Sequence, residues 1–427
     1  MKFRSILRQS AASLLASNGV YVYTFLCTVL LMRMLLPEDF GAVALAVALV
    51  GLIEILTTFS FNTVLIQQRE QASLVRSVFQ GALAVILLKV LLGAVFFVVL
   101  QSEYGPQIWH LFGLLMASKM FASVGPLLVA RLEKRGDFLR AALVTGGANM
   151  VAVTVAVVAV YAGSGTYGLV LREVLPPVLI VAAMVAFQPE LLPRDLRRLH
   201  RRQLRVVAAA STRLYFQRGA ELAYMRVPLL MVESLFGSAA LGLFSQATYL
   251  VTLVNRVTAI VNAHIATVFF NRNRRDAHET HTGFIWLFAA NVVVALPLTL
   301  LLWLFSEQIV LLLWGESWLN AVPYVQLMAA MTLLLPIFTL LKSRLLGLRR
   351  NHAITAVYAT GLVFLVLGLW TVHALAEPAS WAAGLTAAAY ALMVVLCGVV
   401  LWSIRHAAGL HGAAQLRAVR QNETRGR

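Results

Sequence analysis

Twelve times along this chain, roughly twenty or more predominantly apolar residues follow one another, least so at the seventh, and that pattern leaves few folds open. The stretches fall at about 10–36, 41–66, 77–100, 107–130, 139–162, 166–187, 206–232, 239–269, 283–305, 319–341, 353–373 and 381–404. At about 1.5 Å per residue, twenty residues of helix cross the roughly 30 Å hydrocarbon core of a bilayer. Lipid offers no partner to a peptide N–H or C=O, so an apolar segment of this length satisfies its own backbone as an α-helix. The reading is an all-α, polytopic membrane protein with twelve transmembrane helices. Composition agrees: 60% of the chain is hydrophobic and 12% charged, against about 45–50% and 25% in soluble domains. The opening "MKFRSILRQSAAS" is basic, but the apolar stretch after it is too long for a signal-peptide core and has no clear cleavage site, so it reads as the first retained span. Cys27 and Cys397 lie far apart inside apolar segments and read as small buried hydrophobes.

The connections between spans set the orientation. All but eight of the 35 lysines and arginines fall in one alternating set of loops, from Lys2, Arg4 and Arg8, through the cluster Arg194 to Arg205, to Arg405 and the C-terminal tail. The other set reads "PEDF", "QSEYGPQ", "AGSGT", "ESLFGS", "SEQIVLLLWGESW" and "HALAEPAS", with no lysine or arginine. Basic loops stay on the cytoplasmic side, so both termini are expected there, with the protein in the bacterial inner (plasma) membrane. The net charge of +17 is explained by this asymmetry and calls for no nucleic acid.

The longest polar stretch, "QPELLPRDLRRLHRRQLR", divides the spans six and six. It suggests an N-terminal six-helix lobe (1–187), a basic cytoplasmic linker (188–205), a C-terminal six-helix lobe (206–404) and a basic tail (405–427). Faint repeats connect the halves: "PEDFGAVALA" with "SAALGLFSQA", aligning Gly41 with Gly242; "LLMAS" with "QLMAA"; "KRGDFLRAALVTG" with "RRNHAITAVYATG". Six spans per copy make these parallel repeats about an axis along the membrane normal.

The remaining cations lie within spans: Arg33, Lys89, Lys119, Arg172, Arg213, Arg218, Arg226 and Arg256. Arg33 and Arg226 are placed to snorkel outward. Lys89, Lys119, Arg218 and Arg256 fall deep, at about 2.5–3.5 kcal/mol each if they faced lipid, and are expected to face the bundle interior or water. The acids there are Glu54, Glu173 and Glu221. Arg172 and Glu173 are adjacent, point to different helix faces and are not expected to pair. Arg218 and Glu221, three apart, can pair on one face. Cations still outnumber acids about two to one, which suggests a watery, cation-lined cavity suited to an anionic ligand; arginine offers a bidentate fork to phosphate and lysine a point charge. Helix packing or snorkelling stands beside that reading for Lys89 and Lys119. No metal-ligand spacing, phosphate loop or nucleophile motif occurs, so the chain reads as a non-enzyme without cofactor or metal.

Several stretches carry a resemblance: "LLPEDFGAVALA" (35–46), "LIQQ" (65–68), "ARLEKRGDFLRAA" (130–142), "FGSAALGLFSQA" (236–247) and "LLWGESWLNAVPYVQLMA" (312–329). In these the chain resembles the bacterial lipid-linked oligosaccharide flippases of the polysaccharide transporter family, within the multidrug/oligosaccharidyl-lipid/polysaccharide exporter superfamily. The resemblance implies a V-shaped pair of six-helix lobes around a central cavity working by alternating access. It implies transfer of an undecaprenyl-pyrophosphate-linked oligosaccharide from the cytoplasmic to the periplasmic leaflet, for O-antigen, capsule or exopolysaccharide. The implied partners are membrane lipid, polysaccharide polymerase and chain-length machinery. Because spans 7 and 8 line the cavity in such transporters, Arg213, Arg218 and Arg256 are the leading substrate-binding candidates, with Lys89 and Lys119 beside them; Glu54 and Glu221 are candidates for ion coupling or counter-ions. Two departures stand out. Glycines common late in span 2 give way to "FSFNTV" (59–64), and span 1 lacks the buried Arg–Asp pair of the related peptidoglycan lipid flippases, which makes that cargo a poorer fit.

A multidrug or cation antiporter of the same superfamily is one alternative; it would favour cavity acids. A membrane polysaccharide polymerase or ligase is another; such enzymes commonly carry a large periplasmic loop, and the longest outer stretch here is "SEQIVLLLWGESW". The orientation has a direct test. In a background lacking Cys27 and Cys397, single cysteines at Ser102, Ser164 and Ser380 should react with an impermeant thiol reagent from outside the cell, and one at Gln203 should not. The reverse labelling would invert the topology.

Overall fold

The computed structural model describes residues 3–59, 61–67, 72–193, 201–256, 277–348 and 350–425. These residues form helices joined by short connections: α1 (Phe3–Met34), α2 (Pro37–Thr57), α3 (Phe61–Gln67), α4 (Ala72–Leu100), α5 (Pro106–Lys134), α6 (Phe138–Ala159), α7 (Thr166–Phe187), α8 (Arg201–Val254), α9 (Ala277–Leu304), α10 (Ser306–Leu313), α11 (Val322–Met328), α12 (Met331–Gly347), α13 (Asn351–Ala374) and α14 (Trp381–Arg425). The middle of linker 188–205, the end of span 8 (257–269) and the loop bearing Arg272, Arg274 and Arg275 lie outside the described residues.

The protein is an all-α, multi-pass membrane protein. Among the described residues nine helices are long and apolar enough to cross a membrane, ten if Glu316–Met328 and Met331–Gly347, which meet at 45°, form one broken span. The count covers the described residues alone: of α1 it takes in Gly19–Met34, an apolar stretch shorter than the others. Spans 7 and 8 are two arms of one helical element, α8, separated at Gly237, whose φ of 84° only a residue without a Cβ adopts freely. Its second arm runs to Val254, close to where the described residues end.

The chain divides into two compact units. The first comprises Met1–Ala247, Glu307–Pro323 and Val372–Ala379; the second comprises Thr248–Ser306, Tyr324–Thr371 and Ser380–Arg427. In the first, α6 packs against α1 and α7, and α5 packs against α2, α4 and α7. A buried cluster of Val64, Leu65, Leu74, Val78, Leu128, Leu132 and Met184 joins the predicted inner ends of these helices. In the second, α12 packs against α9 and α14. Lys342, expected in a loop, lies on α12 instead, where its Nζ donates to the Tyr358 hydroxyl at 3.1 Å and rests over the Phe338 and Tyr358 rings.

The loop motifs prove to be helix ends that fasten helices together. Pro37 opens α2, with Glu38 and Asp39 in its first turn, where carboxylates suit the helix dipole. Asp39 accepts the Leu36 N–H at 3.1 Å with one oxygen and the Thr166 hydroxyl at 2.9 Å with the other, so the starts of α2 and α7 are held by one side chain. The "WGESW" stretch turns at Gly315, whose φ is 92°. Trp318 is fully buried, donates from Nε1 to the Met32 carbonyl at 2.8 Å and meets the Phe40 ring edge-on at 5.3 Å. Arg33, which its position suggests as a snorkelling residue, reaches instead across the first unit to cap α10: Nε donates to the Leu313 carbonyl at 3.2 Å and Nη2 to that of Leu312. A helix C-terminus has unsatisfied carbonyls and a negative dipole end, so a nearby guanidinium finds partners there without needing the aqueous interface.

The two glycines that the internal alignment pairs also touch. A Cβ on Gly41 would overlap the carbonyl of Ser238, and a Cβ on Gly242 would overlap that of Pro37. Each glycine therefore faces a carbonyl close before the other in the chain. Small residues permit this close helix crossing inside a membrane, and Cα–H···O contacts add to it. Replacing either glycine by alanine should lower the melting temperature of the purified protein, since an overpacked crossing costs about 1–3 kcal/mol. Gly147→Ala, where nothing lies within 4 Å of an added Cβ, is the control; equal melting temperatures in all three would show that the crossing opens at no cost.

Candidate functional site

The helix of span 2 ends in a break. After about 30 Å of α2 the chain leaves helical geometry at Thr58 and Phe59 and resumes at Phe61. Backbone that leaves the helix needs other partners, from protein or from the water of a cavity. Here the break lines a cavity of about 310 Å³. Around it stand Glu54, Thr57, Thr58, Phe59, Phe61 and Asn62 from span 2, Val85 and Lys89 from α4, Ala122, Ser123 and Pro126 from α5, and Arg218 and Leu222 from α8. Pro126 has no N–H for the Ala122 carbonyl one turn earlier, so α5 is locally loosened on this wall.

The charges are arranged in pairs with one left over. Lys119 Nζ lies 3.1 Å from Glu54 Oε1, joining α5 to α2. Arg218 Nη1 lies 3.1 Å from Glu221 Oε2, the i,i+3 pairing anticipated on α8, yet its side chain remains 57% exposed and on the cavity wall. Lys89 is different. It is 8% exposed, and its Nζ donates to Ser123 Oγ at 3.0 Å, while that hydroxyl donates in turn to the Lys119 carbonyl at 3.0 Å. Among the described residues no carboxylate forms an ion pair with it. A buried ammonium with a hydroxyl for company keeps donor capacity for an anionic ligand.

Of the sequence candidates, Glu54, Lys89 and Arg218 line this cavity, and Lys119 and Glu221 hold two of them by ion pairs. Arg256 is exposed and belongs to the second compact unit. Arg213 lies on α8, with its side chain outside the described residues. Arg172 and Glu173 correct the expectation that neighbours on a helix point apart: Arg172 Nε and Nη2 both reach Glu173 Oε1 at 3.3 Å, and Nη1 donates to Thr28 at 3.3 Å. The guanidinium is long enough to curl back over one helical step. The stem of Arg226 lies against Gly51, where an added Cβ would stand 2.7 Å from Cγ and Cδ, and its Nε is buried. Sequence reasoning missed the aromatic and hydroxyl half of the cavity: Phe59, Phe61, Asn62 and Ser123. The departure "FSFNTV" was the available signal. Among the described residues no three His, Cys, Asp or Glu side chains converge as metal ligands.

A family described as "Polysaccharide biosynthesis protein" matches the chain over residues 30–323. The chain belongs to that family. It is 24% identical over 333 residues to the succinoglycan biosynthesis transport protein ExoT of Rhizobium meliloti (strain 1021), covering 76% of this chain and 66% of that protein. It is 28% identical over 160 residues to the teichuronic acid biosynthesis protein TuaB of Bacillus subtilis (strain 168), covering 37% and 32%. The matched region thus spans about two thirds and about one third of those relatives. In fold the chain is similar to an inward-facing multidrug resistance MATE family transporter of the MOP superfamily, with a TM-score of 0.69 at 14% identity over 93% of this chain and 99% of that one. It is also similar to the lipid II flippase MurJ in an inward closed conformation, with a TM-score of 0.68 at 11% identity over 92% and 87%.

The Glu54–Lys119 pair joins two helices, with the two side chains 21% and 24% exposed. Removing one partner of a shielded pair leaves a charge without compensation, whereas removing both does not. In a double-mutant cycle on melting stability, Glu54→Gln and Lys119→Met should couple by about 1–2 kcal/mol, with the double variant more stable than Glu54→Gln alone. Additive effects would show that the contact holds nothing together.

Proposed function

We propose that this protein moves a lipid-linked oligosaccharide, joined to its polyprenyl carrier by pyrophosphate, from the inner to the outer leaflet of the bacterial inner membrane. The product would serve a surface polysaccharide such as O-antigen, capsule or exopolysaccharide. Lobes 1–187 and 206–404 would alternate access to a cationic cavity, with both termini cytoplasmic and the polymerase and chain-length machinery receiving the product outside. The observation that carries the reading is Lys89: buried, in no ion pair among the described residues, and on the wall of a cavity that also presents Arg218. A phosphate oxygen satisfies both, as a point charge for the lysine and a fork for the guanidinium. The polyprenyl chain stays in lipid and needs no pocket. The kinship supports this through what the relatives are called: a polysaccharide transport protein and a lipid II flippase.

An antiporter for cationic drugs is the second reading, and the ion pairs disfavour it. Glu54 and Glu221, the acids at the cavity, each already hold a cation of the protein, so a cationic drug would have to displace Lys119 or Arg218.

A pyrophosphate diester carries about two negative charges, and one charge moved through 100 mV is worth about 2.3 kcal/mol. Outward movement from a negative cytoplasm therefore releases about 4–5 kcal/mol at that potential. In sealed vesicles with the protein oriented as in the cell, an inside-negative potential set by potassium and valinomycin should speed transfer of the lipid-linked sugar from the inner face. Lys89→Gln should abolish transfer at normal protein abundance, with Lys89→Arg retaining part of it. Full transfer by Lys89→Gln would remove the ground for the cationic-cavity reading.

A further inference from the structure

The cavity has a second half that charge does not explain. Phe59, within the span 2 break, and Phe61, at the start of α3, both line it, with ring centroids 5.7 Å apart and planes inclined by 13°. Tyr215 of α8 meets the Phe59 ring at 5.3 Å, and its hydroxyl donates to the Leu56 carbonyl at 3.2 Å, in the last turn of α2. Phe61 is anchored by packing: its ring lies over Gly81 of α4 and against the buried core of the first unit. Phe59 is held differently. It sits on non-helical backbone, half-covered, between the cavity and Tyr215. Asn62, exposed and on the same wall, adds an amide with two donors and an acceptor.

A pyranose has just this mixture of demands. Its axial C–H face is apolar and packs on an aromatic ring, while its rim of hydroxyls needs hydrogen-bond partners. The cavity's 310 Å³ is at the low end of small-molecule sites, about 300–1,000 Å³; it has room for a phosphate and a sugar ring and not for an oligosaccharide. Resting on the pyrophosphate reading above, we propose that Phe59 and Phe61 form a stacking subsite for the sugar attached directly to the pyrophosphate. Asn62 bonds its hydroxyls, Lys89 and Arg218 hold the phosphates, and Tyr215 is a positioning residue that keeps the Phe59 ring in place. The rest of the glycan extends out of the cavity, so the protein reads the first sugar and tolerates variety in the sugars beyond it.

The test is binding to the full-length protein in lipid nanodiscs, with two short-chain probes: a polyprenyl pyrophosphate without sugar, and the same lipid bearing one hexose. The wild type should bind the hexosyl probe about tenfold more tightly, the scale of one aromatic stack. Phe59→Leu should bring the two affinities together while leaving that of the sugar-free probe within about twofold. Phe59→Tyr, which preserves the ring, should keep the preference, and Tyr215→Phe, which loses the bond to Leu56, should reduce it in part. Equal binding of both probes by the wild type, or an undiminished preference in Phe59→Leu, overturns the sugar subsite alone. A Phe59→Leu variant that weakens both probes alike also overturns it, because the ring would then be structural. Failure of the wild type to bind either probe overturns the pyrophosphate reading on which the subsite rests.

Discussion

Hydrocarbon supplies no hydrogen bonds, and that single deficiency organises this molecule. Every peptide group and every charge placed at membrane depth must find its partner inside the protein. The ends and breaks of helices therefore attract the polar side chains. Arg33 closes the C-terminus of α10, Lys134 donates to the Leu65 carbonyl at 2.6 Å at the end of α3, and Tyr215 reaches the Leu56 carbonyl at the end of α2. Within helices, Thr28 and Thr57 turn their hydroxyls back on the carbonyls four residues earlier. The interior carboxylates Glu54, Glu173 and Glu221 each hold one cation.

Against that background an incompletely satisfied group is informative. Lys89 has a hydroxyl where its neighbours Lys119 and Arg218 have carboxylates. It stands beside a break in span 2 that a fully helical segment would avoid, and beside a proline that loosens α5. A lysine without an ion pair, the end of α2 and a helix-loosening proline meet in one place. Their convergence on one cavity is what gives the site its weight, more than the count of positive charges.

Much of this was legible in the sequence, because hydropathy and loop charge are one-dimensional signals. The apolar runs found the helices, and spans 2 to 6, 9, 11 and 12 fall on single elements or their immediate continuations. Lys89, Arg218 and Glu54, singled out by their depth in the apolar runs, line one cavity. What a linear reading lacks is the third neighbour. Whether Lys119 faces ligand or Glu54 is decided by how α5 lies on α2, two helices 65 residues apart along the chain at that point. Arg172 and Glu173 pair because side-chain length outweighs the angle between adjacent positions, which a helical wheel ignores. Arg33 looked like a membrane-surface anchor because its partners, the Leu312 and Leu313 carbonyls, belong to the other half of the chain and carry no side-chain signal at all.

The crossing of Gly41 and Gly242 constrains substitution at both positions. Each glycine sits against a carbonyl that precedes the other by about one helical turn, so the contact maps onto itself when the two segments are exchanged. A self-complementary contact of that kind is the signature of an isologous interface between identical subunits. Between two identical chains, one glycine codon would serve both sides of such a contact and a single change would strike it twice. In this chain the two positions are separately mutable, yet each meets a carbonyl that only its own lack of a side chain accommodates, so neither can change without disturbing the crossing they share.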